Sequence, residues 1–264
     1  GTVRTVPAEG LPRRISPAAF RVFLRLLRAR RTCRQLMKQE RPDVLLAMGS
    51  YASVGPVLAA RRLGIPCVLH ESNVVPGRAI SMLSRRATAV AISFEESRYH
   101  LRRANLVQTG MPLRSSLVEA AAEPRVPRAD APFTLLIMGG SRGAHALNEL
   151  GMRAVIQAVA KGARLRVIHL AGLHDSDPVR AAYAAAGVDA QVERFVHDMV
   201  PIYRRADLAL CRSGAASCAE LCAFGLPSLL VPLPTAIRDH QMANARALER
   251  AGAAPLGFVC NDYS

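Results

Sequence analysis

The chain has 264 residues, of which 50% are hydrophobic and 21% are charged. This ordinary globular composition excludes a disordered tail or a collagen-like fibre, and the length suits two domains of modest size. No uninterrupted apolar run reaches the roughly 18 to 20 residues that a membrane-spanning helix needs. The six cysteines form no C-x-x-C pair, which favours free thiols in a reducing compartment.

The net charge of +15 is concentrated in the first part of the chain. Residues 1–103 carry 19 basic and 6 acidic side chains, whereas residues 104–264 carry 16 and 14. A basic surface of this kind faces either nucleic acid or an acidic membrane leaflet. No nucleic-acid-binding motif accompanies the arginines, and the chain has no Trp to stack on bases. We therefore expect an anionic membrane surface as a partner, and no nucleic acid.

The first predicted element is a helix that Ser16 can cap, with Pro17 at its first position. One stripe along it is apolar and a neighbouring stripe is basic, a pattern typical of a helix lying at a membrane interface. An ordinary surface helix with solvated arginines gives the same pattern, so both interpretations stay open. The apolar stripe consists of Phe20, Phe23, Leu24 and Leu27, and the basic stripe of Arg21, Arg25 and Arg28.

Short apolar runs then alternate with helical patterns along the chain. Buried strands are predicted at residues 44–48, 67–69, 89–92, 133–138, 165–170, 208–211 and 228–231. This alternation is typical of βαβ units and parallel sheets. Residues 119–132 are rich in Ala, Pro and charge and lack an apolar period, which predicts a linker between one α/β domain at 1–118 and another at 133–264.

Two glycine-rich turns each follow a strand and open a helix. In residues 139–144, glycines allow close backbone approach, and the helix start and the Ser141 hydroxyl can donate to a phosphate. In residues 212–220, Ser217 is a candidate helix cap. The Glu220 carboxylate could accept hydrogen bonds from two ribose hydroxyls, or it could simply interact favourably with the helix dipole. Two such helix starts in one domain suggest a nucleoside diphosphate group.

Polar residues follow other predicted strands as well. His240, Gln241 and Asn244 carry donors and acceptors suited to sugar hydroxyls. Residues 48–53 and 70–77 follow two strands of the first part, and the second segment could supply a polar catalytic pocket. Because ligands bind beyond the carboxyl ends of parallel strands, we expect the site in the cleft between the domains. No metal-binding constellation is present, so neither a metal nor a cofactor is expected.

Six segments resemble, in the same order, the MurG family of bacterial glycosyltransferases. The resemblance covers about residues 42–254. The segments are 49–51; 70–73 with 76–77; 110–114; 139–144 with 147–148; 211–220 with 225–227; and 239–241 with 244–245. Members of the family move N-acetylglucosamine from UDP-N-acetylglucosamine to lipid I, the undecaprenyl-pyrophosphoryl-MurNAc-pentapeptide, and so make lipid II for peptidoglycan.

The resemblance implies an α/β protein of the GT-B fold, with two Rossmann-like parallel-sheet domains facing a cleft, the amino-terminal one incomplete. It also implies a metal-independent inverting mechanism and a peripheral position on the cytoplasmic face of the plasma membrane. Residues 1–118 would form the acceptor and membrane-facing domain, and residues 133–264 the UDP-sugar donor domain.

Matching the motifs residue by residue gives each candidate a role. The backbone near Val196 would contact the uracil, and Glu220 would bind the ribose hydroxyls. The diphosphate would lie against Ser141, Arg114, Ala215, Ala216 and Ser217. The donor sugar would lie near Asn73, His240, Gln241 and Asn244. The acceptor side would include Tyr51, Ser53, His70 and Glu71.

The sequence also departs from the family pattern. The family's G-G-T-G-G-H loop near the amino terminus and its carboxyl-terminal helices have no counterpart, so we expect a fragment that is inactive alone. Ser50 stands where a second glycine is usual, and Ser72 where glutamine is common. The general base therefore stays open between the histidine of that loop and Glu71.

Three other functions remain open at this stage. The first is a GT-B transferase that uses a UDP-sugar and a different lipid acceptor. The second is a UDP-sugar epimerase on the same architecture. The third is a non-catalytic module that binds anionic lipid or nucleic acid through the basic part of the chain.

Overall fold

The computed structural model describes residue 5 and residues 17–102, 104–124, 131–140 and 144–252, with side chains within the first helix from residue 26 onward. The chain divides into two compact units, residues 1–110 (unit 1) and 111–264 (unit 2). Ser16 and Ser141 lie outside the described residues, as do the side chains of Phe20, Arg21, Phe23, Leu24 and Arg25.

Unit 1 contains a four-stranded parallel sheet with the order β1-β2-β3-β4. Its core is apolar and includes Val57, Leu69, Val90 and Ile92, each fully buried. The elements in chain order are α1 (Pro17–Glu40), β1 (Leu45–Ala47), α2 (Val54–Arg62), β2 (Cys67–Glu71), α3 (Arg78–Leu83), β3 (Ala89–Ile92) and β4 (Leu106–Gln108).

Unit 2 contains a five-stranded parallel sheet with the order β7-β6-β5-β8-β9. The chain moves outward in one direction from β5 to β7 and then returns to the other side of β5, which is the Rossmann-like winding. The elements are α4 (Ser115–Ala122), β5 (Phe133–Met138), α5 (His145–Ala160), β6 (Leu165–Leu170), α6 (Gly172–Ala185), β7 (Asp189–Glu193), α7 (Val200–Arg205), β8 (Leu208–Cys211), α8 (Ala215–Ala223), β9 (Ser228–Leu230) and α9 (His240–Arg250).

The predicted class, two Rossmann-like parallel-sheet domains, is confirmed, and every predicted strand is present. The sequence missed β4 and β7, which lie at the edges of their sheets. Edge strands are half-exposed, so they can form without a continuous apolar run. That run is the signal by which a buried parallel strand is recognised in a sequence. The residues of β7, Asp-Ala-Gln-Val-Glu, accordingly include a single buried apolar side chain, Val192.

The boundary between the units lies earlier than the linker predicted at residues 119–132. Residues 119–122 form the end of α4, which packs on α7 and α8 of unit 2. Leu117 is buried, and the Arg204 guanidinium donates to the Ala120 carbonyl at 2.8 Å. An alanine-rich segment forms a helix readily without an apolar stripe, because alanine has the highest helix propensity. Residues 125–130 of the predicted linker lie outside the described residues.

The first helix begins at Pro17, as predicted. Its second half packs closely on α2, where an ideal Cβ added to Gly55 would lie 3.2 Å from Ala29 Cβ. Ala29 and Cys33 are buried in this contact, whereas Leu27 is 38% exposed and Arg28 is exposed. Among the described residues, no helix combines the length and the apolar character needed to cross a bilayer.

The described cysteines are free thiols, as predicted. Cys33, Cys67, Cys211 and Cys218 are buried, while Cys222 is exposed. Burial raises the pKa of the Cys218 thiol to about 12, so this group stays protonated and serves as an apolar packing residue. Cys260 lies outside the described residues.

Candidate functional site

The two glycine-rich turns of unit 2 leave neighbouring strands at the point where the strand order reverses. β5 and β8 are adjacent and parallel, and Met138 is paired in register with Cys211 at their carboxyl ends. The turns that start at Gly139 and Arg212 therefore leave the sheet side by side. In doubly wound sheets this reversal opens a crevice in which nucleotides bind. Gly140 has φ +90°, a conformation that glycine adopts without strain, and residues 141–143, including Ser141, lie outside the described residues.

The helix start of the second turn has no side-chain cap. α8 begins at Ala215, and its N-cap is Gly214, which has no side chain to accept a hydrogen bond from the first turn. The first backbone N–H groups of a helix have no intrahelical acceptor and carry the positive end of the dipole. Ala216 and Ser217 follow within this first turn. The prediction that Ser217 caps the helix is wrong, because Ser217 is the third helical residue.

Glu220 lies further along α8 and is half-buried. The Tyr203 hydroxyl, from α7, donates a hydrogen bond to Glu220 Oε2 at 2.6 Å. Burial raises the pKa of Tyr203 strongly and the Glu220 carboxylate adds to the rise, while the nearby Arg114 guanidinium opposes it. The phenol therefore stays protonated and donates at any physiological pH. Arg114, Tyr203 and Glu220 thus share one electrostatic neighbourhood.

The third predicted loop, which follows β9, is tied to the second turn by hydrogen bonds to Ser213. The Ser213 hydroxyl donates to the Gln241 carbonyl at 2.8 Å, and Gln241 Oε1 accepts from Leu233 N at 2.9 Å. Asn244 is fully buried and its Nδ2 donates to the Ser213 carbonyl at 3.1 Å. The structure therefore places Gln241 and Asn244 in contacts that hold the loops together. His240 is the first residue of α9 and is half-buried.

Arg114 and the loop after β7 line one cavity of about 460 Å³. Arg114 is exposed at the N-cap of α4, and Val196 is half-buried in the loop that leads to the cavity residues His197 and Asp198. The Phe195 ring meets His197 edge to face, with ring centroids 4.8 Å apart. Arg114 and the residues that follow Val196 thus lie at the same cavity.

In unit 1, the segment 70–77 is organised around the Glu71 carboxylate. His70 and Glu71 are the last residues of β2 and are 3% and 4% exposed, so they belong to the strand and not to the loop that follows it. Glu71 Oε1 accepts from Asn73 N at 2.9 Å, and Oε2 accepts from Gly77 N at 3.0 Å. Ser97 Oγ donates to the Asn73 carbonyl at 3.0 Å. Both Glu71 oxygens therefore hold the loop that presents Asn73.

The remaining acceptor-side candidates surround the end of β1 and β2. His70 Nε2 lies 3.2 Å from the Gly110 carbonyl, so the imidazole links β2 to the end of unit 1. Tyr51 is half-buried against the core of unit 1. Ser53 is 7% exposed and its hydroxyl donates to the Gly49 carbonyl. Tyr51 and Ser53 are thus the ends of one 3₁₀ turn, and Ser53 stabilises it.

A buried polar network that the sequence did not reveal lies between β6, α5 and α6. His169 is fully buried, with Nδ1 3.0 Å from the Tyr183 hydroxyl and Nε2 3.1 Å from Asn148 Oδ1. Asn148 Nδ2 donates to the Ala171 carbonyl and to Asp175 Oδ2, each at 2.7 Å. The network holds the first turns of α5 and α6 at the carboxyl end of the sheet. No periodic pattern marks such residues, because they are distributed over β6, α5 and α6.

Within the described parts of the chain, no group of three or more His, Cys, Asp or Glu residues is arranged to hold a metal ion.

The chain is similar to known proteins over most of its length. Residues 134–257 match the model of the glycosyltransferase family 28 C-terminal domain, and residues 2–92 match that of the N-terminal domain. A Geobacter metallireducens protein is 39% identical over 255 residues, which are 96% of this chain and 69% of the relative. It is named UDP-N-acetylglucosamine--N-acetylmuramyl-(pentapeptide) pyrophosphoryl-undecaprenol N-acetylglucosamine transferase. The chain belongs to the MurG family of glycosyltransferases.

Other members of the MurG family match in the same way. A protein of the same name from Rhodospirillum rubrum is 44% identical over 219 residues, which are 82% of this chain and 56% of the relative. The crystal structure of Acinetobacter baumannii MurG superposes with a TM-score of 0.72 at 33% identity, covering 96% of this chain and 69% of that one.

A Neisseria meningitidis UDP-GlcNAc 2-epimerase superposes with a TM-score of 0.62 at 14% identity, covering 95% of this chain and 72% of that chain; this likeness concerns the fold alone.

Proposed function

We propose that this MurG-family chain transfers N-acetylglucosamine from UDP-N-acetylglucosamine to lipid I and so forms lipid II. The observation that carries the proposal is the arrangement in unit 2, where an open helix start and a carboxylate held by a tyrosine lie beside the strand-order reversal. A helix N-terminus favours a diphosphate, and a carboxylate is the group that nucleotide-binding folds use for ribose hydroxyls.

Unit 2 is the proposed donor domain. Glu220 accepts the ribose hydroxyls, and the backbone near Val196 contacts the uracil. The first turn of α8, at Ala215, Ala216 and Ser217, faces the diphosphate together with Arg114, whose charge and planar guanidinium suit phosphate oxygens. Ser141 is proposed for the same role from its place in the first glycine-rich turn.

The donor sugar is proposed to lie near His240 and the loops of unit 2 that Gln241 and Asn244 hold. Gln241 and Asn244 are bonded to Leu233 and Ser213, so their contribution is to fix the position of the surrounding backbone. His240, which is half-buried, then supplies polar atoms for sugar hydroxyls.

The chemistry follows from where charge develops during transfer. The acceptor hydroxyl oxygen attacks the anomeric carbon, the bond from that carbon to the diphosphate oxygen breaks, and the electron pair leaves with UDP. Fixed donors aimed at the departing diphosphate lower the barrier, because they stabilise charge that grows in the transition state. Attack from the face opposite the leaving group inverts the anomeric configuration.

Unit 1 is proposed to present the acceptor. A base must take the proton of the acceptor hydroxyl, and Glu71 is the candidate that this chain contains. Its two oxygens accept from Asn73 N and Gly77 N, which favours a loop-holding role for Glu71 over proton transfer. Tyr51, Ser53 and His70 lie on neighbouring strand ends and are proposed to shape the acceptor side.

The protein is proposed to act as a peripheral protein on the cytoplasmic face of the plasma membrane. A lipid-linked acceptor stays in the bilayer, so the unit that receives it docks on the anionic surface. The excess of basic side chains lies in residues 1–103, and Leu27 and Arg28 of α1 are exposed beside the buried Ala29. Anionic lipid is therefore the proposed partner of α1.

The donor site is tested by binding of UDP and UDP-N-acetylglucosamine. Replacing Glu220 by Ala should remove about 1 to 3 kcal/mol of binding free energy, the range for hydrogen bonds to a charged group. Glu249→Ala, which removes an exposed carboxylate from α9, is the matched control and should bind as the parent does. Equal affinity of Glu220→Ala and the parent in calorimetry contradicts the ribose role.

The other candidate functions give different results. A transferase with another lipid acceptor uses UDP-N-acetylglucosamine but leaves lipid I unmodified. An epimerase releases free sugar or UDP without any acceptor. A binding module shows no dependence on UDP-sugar. Assays of the protein with lipid I, with other polyprenyl-linked acceptors and without acceptor distinguish these cases.

A further inference from the structure

The ribose carboxylate proposed above is held by a side chain that no motif singled out. Tyr203 Oη lies 2.6 Å from Glu220 Oε2, the length of a hydrogen bond from a hydroxyl to an ionised carboxylate. Such bonds are about twice as strong as those between neutral groups. The bond uses one carboxylate oxygen, and Oε1 takes no part in it.

The position of the Tyr203 hydroxyl is itself fixed by packing. The side chain is 2% exposed, and its ring packs against Phe224 with centroids 5.1 Å apart. The hydroxyl also lies 4.0 Å from Met138 Sδ, at the carboxyl end of the central strand β5. A half-buried glutamate has three rotatable side-chain bonds, so an anchored donor at Oε2 selects one of its conformations.

We propose that Tyr203 is a positioning residue for nucleotide recognition, which it serves by orienting the Glu220 carboxylate toward the ribose diol of a uridine diphosphate. This inference rests on the proposed donor role of Glu220. Tyr203 does not contact the nucleotide in this scheme. It acts by removing conformational freedom from Glu220 before the ligand binds, so the ligand does not lose affinity in ordering that side chain.

The test compares two nucleotides that differ only in the ribose. Tyr203→Phe keeps the ring that packs on Phe224 and removes the hydroxyl. We expect it to lower the affinity for UDP about tenfold, the effect of about 1.4 kcal/mol, and to leave the affinity for 2′,3′-dideoxyuridine diphosphate unchanged. The analogue lacks the hydroxyls from which Glu220 accepts hydrogen bonds, so its affinity does not depend on the orientation of the carboxylate.

Tyr183→Phe is the matched control. Tyr183 is 1% exposed in the same unit, and its hydroxyl bonds to His169 and not to Glu220. This variant therefore loses a buried hydroxyl of the same kind, and its ratio of UDP affinity to analogue affinity should equal that of the parent. A purely structural effect of Tyr203→Phe would lower both affinities together and would overturn the proposal.

A second comparison separates this inference from the donor-site proposal. In a Glu220→Ala background, Tyr203→Phe should not weaken UDP binding further, because the two residues act through one contact. If Glu220→Ala weakens UDP binding and Tyr203→Phe does not, the positioning role fails while the donor site stands. If Glu220→Ala itself has no effect, the ribose role of Glu220 fails, and the positioning role fails with it.

Discussion

The Glu71 carboxylate and the backbone N–H of Gly77 are joined by a hydrogen bond of 3.0 Å that closes the loop after β2. The second Glu71 oxygen accepts from Asn73 N, so one buried side chain fixes both ends of the turn that carries Asn73. A carboxylate engaged in this way determines the shape of the acceptor-side loop.

Glu71→Ala is expected to destabilise unit 1 by about 2 kcal/mol, because it removes the buried carboxylate that accepts hydrogen bonds from two backbone N–H groups of a partly buried loop. Glu71→Gln should lose less stability, since its amide oxygen can still accept one of the two hydrogen bonds. Urea unfolding followed by circular dichroism measures both.

Glu95→Ala is the control for the Glu71 experiment. Glu95 forms an exposed ion pair with Arg98, and such pairs contribute little to stability. Its free energy of unfolding should stay within about 0.5 kcal/mol of the parent value. If Glu71→Ala is as stable as the parent but loses a transfer activity that the parent shows, Glu71 acts as a base and not as a loop anchor.

Ser50→Gly is expected to stabilise the protein by about 1 kcal/mol, because the residue has φ 65° and ψ 169°, a region that glycine alone occupies readily. The gain exceeds the loss of the 3.3 Å hydrogen bond from Ala52 N and the greater chain entropy of glycine in the unfolded state. Thermal unfolding of the variant and the parent gives the difference.

Ser50→Ala is the matched substitution at the same position. It removes the same side-chain hydrogen bond and keeps the unfavourable backbone conformation, so it should be slightly less stable than the parent. A variant series in which Gly and Ala change stability in the same direction contradicts the assignment of strain to Ser50.

The stability of unit 2 should rise with pH between about 4 and 6.5 because of His169. Burial lowers the pKa of its imidazole to about 4, and the Asp175 carboxylate opposes part of this effect. In the unfolded chain the group has its ordinary pKa near 6.5, so in this window the unfolded state binds the additional proton. The change amounts to about 3 kcal/mol, with full stability above pH 6.5 and loss on acidification.

Urea unfolding at several pH values measures this dependence, and His169→Gln should flatten it. Burial opposes the hydrogen bonds from Asn148 and His145 to Asp175, but these bonds prevail and the pKa of Asp175 is lowered from its ordinary value of 3.8. The stability that this carboxylate contributes is therefore lost only at pH values below this window. His100→Gln, at an exposed position, is the control and should leave the slope unchanged. An unaltered slope in His169→Gln means that another group titrates.

Membrane docking predicts that binding to vesicles rises with the content of anionic lipid and weakens with salt. Changing Arg21, Arg25 and Arg28 of α1 to Gln should weaken binding roughly a hundredfold, since each basic residue near the surface contributes about 1 kcal/mol. Sedimentation with vesicles of phosphatidylglycerol and phosphatidylcholine measures this, and UDP affinity should stay unchanged.

A control triple variant removes the same charge elsewhere. Arg153, Lys161 and Arg164 are exposed in unit 2, and their replacement by Gln should leave sedimentation as in the parent. Equal weakening in both triple variants indicates an effect of net charge alone, and the helix α1 is then an ordinary surface helix.

Much of the fold follows from local sequence patterns. A buried parallel strand is a continuous apolar run, and glycine-rich turns mark the strand ends, so β5, β6 and β8 are predicted with the bounds that the structure shows. The order of motifs identifies the family for the same reason, since each motif is a short contiguous segment. The edge strand β7 and the helix α4 escaped prediction because neither depends on a continuous apolar pattern.

The tertiary structure alone decides what each polar side chain contacts. Asn244 and Glu71 have residue types suited to ligands, yet one is bonded to Ser213 and the other to its own loop. Tyr203 of α7 reaches Glu220 of α8 only because the fold brings these side chains, which strand β8 separates in the sequence, within hydrogen-bond distance. Sequence patterns report which face of an element is buried, whereas hydrogen-bond partners depend on distances between elements, and packing sets those distances.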